Sequence, residues 1–249
     1  MPYSPKTDFR VFAHRGASQL APENTIPALQ IAKDYGATWV ECDLQLTQDG
    51  FVVIFHDDTL DRTTNGSGYL FETPYAEVAL LDAGSWFDPR FAKTPVPLLA
   101  IWLQVAASLS LALNLELKVC SKEQAKQMAL LLIQQLKQYW PAQLPVLISS
   151  TDLDVLMQVD LLSQGTLPLA LISDEQMSKS QMEALHAQGF FSVHHQADCL
   201  TKSYVASLHE HGFQVYAYTV NDSQAVTRLK EVCGIDGVFT DNAQLFASD

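Results

Sequence analysis

A histidine and an arginine follow the first apolar run of the sequence. The run FRVFA leads directly into His14 and Arg15, and Gly16 lets the backbone turn away. A histidine exchanges a proton near neutral pH, and an arginine binds phosphate through paired hydrogen bonds. Because burying such groups is costly unless they meet a ligand, the stretch predicts an anion site where a strand ends.

Three carboxylates lie in two later segments that are predicted to be strands. In WVECDLQL, alternate side chains share a face, so Glu41 and Asp43 point the same way. In LALNLELK, Glu116 and Lys118 share a face for the same reason. Neighbouring carboxylates repel each other unless a cation lies between them, which favours a cation site. For the run WVECDLQL, a solvated edge strand is the alternative explanation. Without cysteine ligands, the three carboxylates suit one hard divalent cation, with Mg²⁺ favoured and Ca²⁺ or Mn²⁺ left open.

A hairpin signal returns a second histidine to the same place. Asp49 and Gly50 are typical of a two-residue hairpin turn. That turn would place His56 opposite Asp43, beside the carboxylates. A slip of one residue would turn His56 to the other face, so this prediction depends on the turn type.

The elements that must position these residues alternate between strands and helices. Eight apolar runs indicate strands at residues 9–14, 39–46, 111–118, 146–149, 169–173, 190–195, 214–220 and 237–240. Helical patterns lie between them, and the first is expected to begin at Asn24 and end at Gly36. The alternation predicts an α/β fold, a (β/α)8 TIM barrel. A doubly wound sheet is the fallback, weakened because no glycine-rich phosphate loop opens an early helix.

One segment interrupts the alternation. Residues 57–97 are too long for an ordinary strand-to-helix loop, so we expect a small insertion after the hairpin that follows the second strand. The whole chain, residues 1–249, is expected to form one domain. The aromatic residues of the insertion are expected to form a small separate core, or in part to line a substrate pocket. They are Tyr69, Phe71, Tyr75, Trp86, Phe87 and Phe91.

Composition restricts the partners. The 249 residues are 48% hydrophobic and carry a net charge of −13, which disfavours nucleic acid and anionic membranes. A few cations inside a cleft would still accommodate a small anionic substrate. The four cysteines form no CxxC pair, no apolar run reaches the ~18 residues of a membrane span, and the N-terminus lacks an apolar signal-peptide core. We therefore expect a cytoplasmic location without stable membrane association, and the oligomeric state is left open.

The carboxyl ends of barrel strands meet at one face, where the active sites of such folds lie. A metal held by carboxylates, a phosphate held by Arg15 and Lys118, and His14 with His56 as acid and base together indicate cleavage of a phosphate ester. Glu23 and Asn24 are expected to cap the first helix, and support of the metal site is the alternative. Asp57, Asp58 and Asp61 are expected to shape turns, with Arg62 as their neutralising partner.

Longer blocks of the sequence resemble a known family. Five segments are similar to successive signature blocks of the glycerophosphodiester phosphodiesterase family, in its bacterial cytoplasmic form: AHRGASQLAPENT, ECDLQLTQDGFVVIFHDDTLDRTTNGSG, LNLELK, TVND and GVFTDN. The similarity extends from Val11 to Asn242, and the first two blocks are long and specific.

The resemblance implies a TIM barrel that uses a divalent metal to hydrolyse glycerophosphodiesters to sn-glycerol 3-phosphate and an alcohol. Tyr218 stands where many members carry tryptophan, and we expect it to form part of the substrate pocket wall. The family's other functional residues fall on Glu41, Asp43 and Glu116 for the metal, His14 and His56 for acid and base, and Arg15 and Lys118 for the phosphate.

Three other classes are open on sequence. A metal-dependent lyase or isomerase would use similar carboxylates, but it usually needs a lysine or acid for carbon chemistry. A non-catalytic barrel that binds a phosphate ligand would be expected to lack a carboxylate or a histidine. A phospholipase C- or D-like enzyme acting on lysolipid or intact lipid would be expected to carry a basic or amphipathic membrane-facing segment.

Overall fold

Eight parallel strands close into a barrel in the computed structural model, which describes residues 9–246. A ninth strand, β3, pairs antiparallel outside the barrel. The strands are β1 (Arg10–Ala13), β2 (Trp39–Leu46), β3 (Val52–Ile54), β4 (Ala112–Leu117), β5 (Val146–Ser150), β6 (Leu169–Ser173), β7 (Ser192–Gln196), β8 (Gln214–Tyr218) and β9 (Gly237–Thr240). Because β1 pairs with both β2 and β9, the sheet is closed, and the predicted α/β barrel is confirmed.

Helices connect the strands and cover the outside of the barrel. They are α1 (Ile26–Asp34), α2 (Tyr75–Val78), α3 (Leu99–Ser108), α4 (Lys122–Tyr139), α5 (Leu153–Ser163), α6 (Lys179–Ala187), α7 (Lys202–Glu210) and α8 (Ser223–Arg228). Each of the five helices from α4 onward begins at a Ser, Thr or Asp whose side chain accepts a backbone N–H. Within residues 9–246, no helix is both long and apolar enough to span a membrane.

An aromatic cluster fills the interior of the barrel below its mouth. Phe12 stacks on Phe239 with ring centroids 4.4 Å apart, and its edge meets Tyr216 at 5.0 Å. All three side chains are buried. Since this cluster closes the interior from below, the polar residues at the carboxyl ends of the strands face a cavity with one open side.

The hairpin after β2 differs from the prediction. The observed register leaves residues 48–50 as a three-residue loop, and Gly50 adopts the left-handed conformation with φ of 83°. The predicted pairing of His56 with Asp43 is therefore wrong by one residue. Instead, Phe55 donates its N–H to the carbonyl of Asp43 at 2.9 Å.

The segment from 57 to 97 packs around its own apolar cluster beside the barrel. The cluster consists of Val53, Phe55, Leu60, Leu70, Val78, Ala83 and Val96. A separate core is therefore present, but the prediction that the six aromatic residues build it is wrong. Of those six, Tyr75 packs against the cluster, whereas Tyr69 and Trp86 remain 49% and 40% exposed. Six aliphatic side chains and Phe55, an aromatic residue from outside the insertion, fill the centre instead.

Residues 1–8 and 247–249 lie outside the described residues. The expectations that the N-terminus lacks a signal-peptide core and that one domain spans residues 1–249 extend into those segments. They therefore stay predictions.

Candidate active site

Three carboxylates meet inside the mouth of the barrel. Asp43 on β2 lies beside Glu116 on β4 in the parallel register, and Glu41 precedes Asp43 on the same face. One carboxylate oxygen of each residue lies within 4.8 Å of the others. The alternation of side chains along the two strands brings them together, as the sequence pattern predicts.

Burial and mutual repulsion make this cluster electrostatically costly. Burial, together with the charges of Asp43 and Glu116, raises the pKa of Glu41 well above its usual range. Burial and the neighbouring Asp43 likewise raise the pKa of Glu116. Burial would also raise the pKa of Asp43, but the nearby charges of Lys118 and Arg15 lower it.

Glu41 also carries an unsatisfied acceptor. Its Oε1 atom is buried and has no hydrogen-bond partner among the residues that the structure describes. A buried carboxylate oxygen without a donor is destabilising unless a cation or another ligand meets it. The carboxylate donor set and this orphaned oxygen therefore fit a hard divalent cation.

Two cationic side chains border the carboxylates. The Nζ atom of Lys118 lies 3.0 Å from an oxygen of Glu116 and 3.5 Å from Asp43. The guanidinium of Arg15 donates to Glu23 at 2.8 Å, and its Nε lies 3.5 Å from Asp43. Both cations hold their charge in this acidic setting, because the neighbouring carboxylates outweigh burial and raise the pKa of each.

A tight turn positions the first of these cations. Arg15 has a left-handed φ of 57°, and its N–H donates to Glu41 at 2.9 Å. Gly16 follows with φ of 80°, and a Cβ there would lie 2.8 Å from the backbone of Ala28. Only glycine fits this close approach of the turn to α1.

His14 points into the mouth from the end of β1. Its Nδ1 lies 2.7 Å from Asp241, and its Nε2 lies 3.9 Å from Glu41. Asp241 also accepts hydrogen bonds from Ser18 and Asn221. Burial alone would raise the pKa of Asp241, but the bonds from His14, Asn221 and Ser18 lower it to about 2. Asp241 is not among the site residues predicted from the sequence, although it directly follows the last strand, at the same end of the barrel as the other site residues.

His56 has an equivalent partner. Its Nδ1 lies 2.6 Å from Asp57, which also accepts two hydrogen bonds from Arg62. These bonds from Arg62, with that of His56, hold the pKa of Asp57 far below its usual range. The amide of Gln45 fixes the backbone by donating to the carbonyls of Phe55, His56 and Asp57 at 2.8–3.1 Å. The expectation that Asp57 only shapes a turn is therefore wrong, whereas its pairing with Arg62 was anticipated.

Asn24 supports the site rather than helix α1. Thr25, not Asn24, is the N-cap, since its hydroxyl accepts the N–H of Ala28. The amide of Asn24 donates to Asp43 at 2.8 Å and accepts the N–H of the same residue at 3.3 Å. The expectation that Asn24 caps the helix is wrong, and the alternative of support for the carboxylate cluster holds.

Glu23 is likewise held by the site. It accepts hydrogen bonds from Arg15 and Arg62 rather than from a helix N-terminus. It thereby links the barrel mouth to the insertion, and the expected capping role is wrong for it as well.

One cavity of about 290 Å³ is lined by His14, Arg15, Glu41, His56, Glu116 and Lys118. Phe239 and Ile172 form apolar parts of its lining, and Tyr218 forms part of its wall. The Tyr218 hydroxyl donates to Asp174 at 2.6 Å, and burial together with this bond raises the pKa of Tyr218. His194 also lines the cavity, and burial lowers its pKa to about 3, so it is neutral in the folded protein.

A (β/α)8 barrel whose mouth combines a carboxylate cluster, two cations and two aspartate-bound histidines has the chemistry of a phosphate-ester hydrolase. Comparison with known proteins gives the family. The sequence profile described as "Glycerophosphoryl diester phosphodiesterase family" matches residues 14–245. This chain therefore belongs to that family, and the predicted family and enzyme class are confirmed.

Individual relatives agree with this assignment. A glycerophosphodiester phosphodiesterase of Bacillus subtilis (strain 168) is 32% identical over 251 residues, which cover 94% of this chain and 84% of the relative. One of Caldanaerobacter subterraneus subsp. tengcongensis is 31% identical over 238 residues, with 94% of each chain covered. A solved structure of an Oleispira antarctica phosphodiesterase in complex with the product sn-glycerol-3-phosphate has a TM-score of 0.91 at 36% identity. It covers 96% of this chain and 95% of that chain.

Proposed function

We propose that this protein hydrolyses glycerophosphodiesters to sn-glycerol 3-phosphate and an alcohol, with one divalent cation at the barrel mouth. The observation that carries the proposal is the cluster of Glu41, Asp43 and Glu116, each of which places one carboxylate oxygen within 4.8 Å of the others. Glu41 and Glu116 also line the cavity that both histidines line. The product bound in the related Oleispira antarctica enzyme supports the choice of substrate.

Glu41, Asp43 and Glu116 would hold the cation, and Mg²⁺ is favoured over Ca²⁺ and Mn²⁺. When bound, such a cation polarises a phosphoryl oxygen and offsets negative charge. The buried Oε1 atom of Glu41, which no described residue contacts by hydrogen bond, supports its role as a ligand. Asn24 keeps Asp43 in place through its two hydrogen bonds.

Arg15 and Lys118 would bind the phosphate. Both line the cavity beside the carboxylates, and both stay charged there. As the ester bond breaks, negative charge grows on the phosphate oxygens, so donors that are already oriented stabilise the transition state. Arg15 is oriented by Glu23, and Lys118 by Glu116.

His14 and His56 would share the acid and base roles. Each directs Nδ1 to an aspartate, which leaves Nε2 as the nitrogen available to substrate. One histidine removes a proton from the attacking oxygen, and the other gives a proton to the departing alcohol.

The attacking oxygen is the 2-hydroxyl of the glycerol arm rather than water. An internal nucleophile already held near phosphorus has an advantage of roughly several kcal/mol in favourable cases. Its attack forms a new P–O bond, expels the alcohol and leaves a cyclic phosphate. Water then opens the ring, with the two histidines in reversed roles. The phosphatidylinositol-specific phospholipases C, which the design resembles, form such cyclic products.

An enzyme-coupled assay for sn-glycerol 3-phosphate tests the proposal. We expect release from glycerophosphocholine in the presence of a divalent cation and none in excess chelator. Full activity in chelator would rule out the metal, and absence of release with every cation would rule out the reaction. A diester that lacks the 2-hydroxyl should bind and persist. Its hydrolysis at the normal rate would make water the nucleophile.

A further inference from the structure

A second cavity opens beside the active site, between the insertion and the barrel. This outer groove measures about 700 Å³, and its shared lining with the active-site cavity consists of His56, Lys118 and Thr151. A phosphodiester has two arms that leave phosphorus in different directions. The smaller cavity of about 290 Å³ suits the glycerol arm, and the outer groove then receives the alcohol.

Two aromatic rings form the wall of the outer groove on the insertion side. Tyr69 and Phe71 lie with ring centroids 5.3 Å apart and planes at 44°. They are 49% and 38% exposed, and neither belongs to the apolar cluster of the insertion. Packing in the apolar cluster does not explain these exposed rings, whereas contact with a ligand in the groove would explain them.

A carboxylate without a partner adjoins the rings. The side chain of Asp58 makes no hydrogen bond or ion pair within residues 9–246, and it lines the outer groove. The Leu70 N–H donates to the Asp58 carbonyl at 2.9 Å, and Thr59 bridges Tyr69. These backbone contacts hold Asp58 next to the two rings.

The other charges of the groove are already compensated. Asp57 is paired with Arg62 and His56. Lys118 is paired with Glu116 and Asp43 at the phosphate end. Among the residues that line the groove, the uncompensated charge is therefore the negative charge of Asp58, which shares the lining with the rings of Tyr69 and Phe71.

We propose that the outer groove binds the departing alcohol and selects alcohols that carry a cationic ammonium group. Aromatic faces attract an ammonium group through their quadrupole, and a nearby carboxylate adds a direct charge interaction. An anionic alcohol would be repelled by Asp58, and a neutral polyol would gain from neither feature. The assignment of the groove to the leaving alcohol rests on the proposed hydrolysis, whereas ammonium binding itself does not.

Substrate competition tests the selectivity. We compare kcat/KM for glycerophosphocholine and glycerophosphoglycerol in the wild type, in Asp58→Asn and in Phe71→Leu. Each variant should lower the choline-to-glycerol ratio about fivefold, because each removes one part of an ammonium site. The matched controls Glu77→Gln and Trp86→Leu lie on the insertion outside the groove, and both should keep the wild-type ratio.

Equal losses on both substrates, or an unchanged ratio in both groove variants, would overturn the proposal. Titration of the chain with choline chloride, followed by NMR, separates the two proposals. Choline binding that Asp58→Asn weakens, in a protein that hydrolyses neither diester, would refute the hydrolysis and keep the ammonium site. Hydrolysis of both diesters without detectable choline binding in the wild type would refute the ammonium site.

Discussion

The two histidines at the barrel mouth share one design. Each directs Nδ1 to an aspartate at 2.6–2.7 Å, and each aspartate is held by further donors. A carboxylate on Nδ1 fixes the tautomer and the ring orientation, which in the proposed mechanism leaves Nε2 for the substrate. We therefore propose that Asp241 and Asp57 are positioning residues, which act through the histidines.

We predict that Asp241→Asn lowers kcat at least about tenfold. An amide can place its NH2 group, rather than an oxygen, against Nδ1 of His14, which favours the other tautomer of the imidazole. Steady-state kinetics measure this loss of kcat, and thermal unfolding measures the separate effect on stability. The lowered pKa of Asp241 means that its contribution to stability is present above pH ~3.8 and is lost as the pH falls towards about 2. The variant should therefore lose stability relative to the wild type at pH 7, and less so at pH 2. Asp198→Asn, on the surface, is the control, and equal kcat values would contradict the role of Asp241.

Lys118 allows a second test on a single side chain. We predict that Lys118→Met lowers kcat/KM at least roughly 10²-fold, because it removes a cation from the phosphate site. Lys122→Met is the matched control, since Lys122 is exposed on α4 and pairs with Asp154 on the surface. A Lys118 variant within a few-fold of the wild type would show that the ammonium is not a phosphate ligand.

At the scale of elements, one side chain joins the insertion to the barrel. Arg62 donates to Asp57 at 2.6–2.8 Å and to Glu23 at 2.7–2.8 Å. Glu23 in turn accepts a hydrogen bond from Arg15, so the chain of contacts extends from His56 to one of the two proposed phosphate ligands. The insertion therefore helps to orient groups that follow the ends of two different strands, β1 and β3.

We predict that Arg62→Gln lowers kcat/KM about tenfold or more while changing stability little, because exposed ion pairs contribute only about 0–1 kcal/mol. Kinetics and chemical denaturation check both expectations. Arg90→Gln is the control, since Arg90 forms an exposed pair with Asp88 in the same insertion. A large loss of stability with unchanged kinetics would make Arg62 a structural residue alone.

The sequence predicts the regular elements well for a physical reason. Both faces of strands β2 and β4 are buried. One face of each strand carries apolar residues at alternate positions, and the carboxylates occupy the alternate positions of the other face, so the pattern has a period of two residues. The hairpin register was missed because Asp-Gly is compatible with both a two-residue and a three-residue loop.

Contacts that depend on closure of the barrel could not be predicted. Asp241 meets His14 across 227 positions of sequence, only because β9 pairs with β1. For Asn24 and Glu23, support of the site was predicted only as the alternative to helix capping, for a related reason. A local capping signal and a distant carboxylate site compete for the same residue types, and the three-dimensional contacts decide between them.

At the scale of the whole molecule, an acidic chain also buries carboxylates inside its candidate site. The net charge is −13, and three carboxylates share one buried cluster with two cations. Burial and repulsion raise the pKa values of Glu41 and Glu116. Ionising these two carboxyls therefore costs more free energy in the native state than in the unfolded chain, which lowers the free energy of unfolding. A bound divalent cation would offset that cost, and an excess of about 100-fold over its Kd stabilises a protein by about 2.7 kcal/mol.

This cost has a definite pH dependence. For Glu41, whose pKa is raised in the native state, the contribution to stability is fully present below the ordinary pKa of 4.5 and is lost as the pH rises through the native value. We predict that, in chelator, Glu41→Gln is more stable than the wild type near pH 7.5 and that the difference shrinks towards pH 4.5. Added Mg²⁺ should stabilise the wild type more at pH 7.5 than at pH 5.5 and should stabilise the variant less, because a ligand carboxylate must be ionised to bind the cation. Chemical denaturation across this pH range measures these differences, with Glu77→Gln as the surface control. A variant that is less stable than the wild type by the same amount at every pH would contradict the prediction.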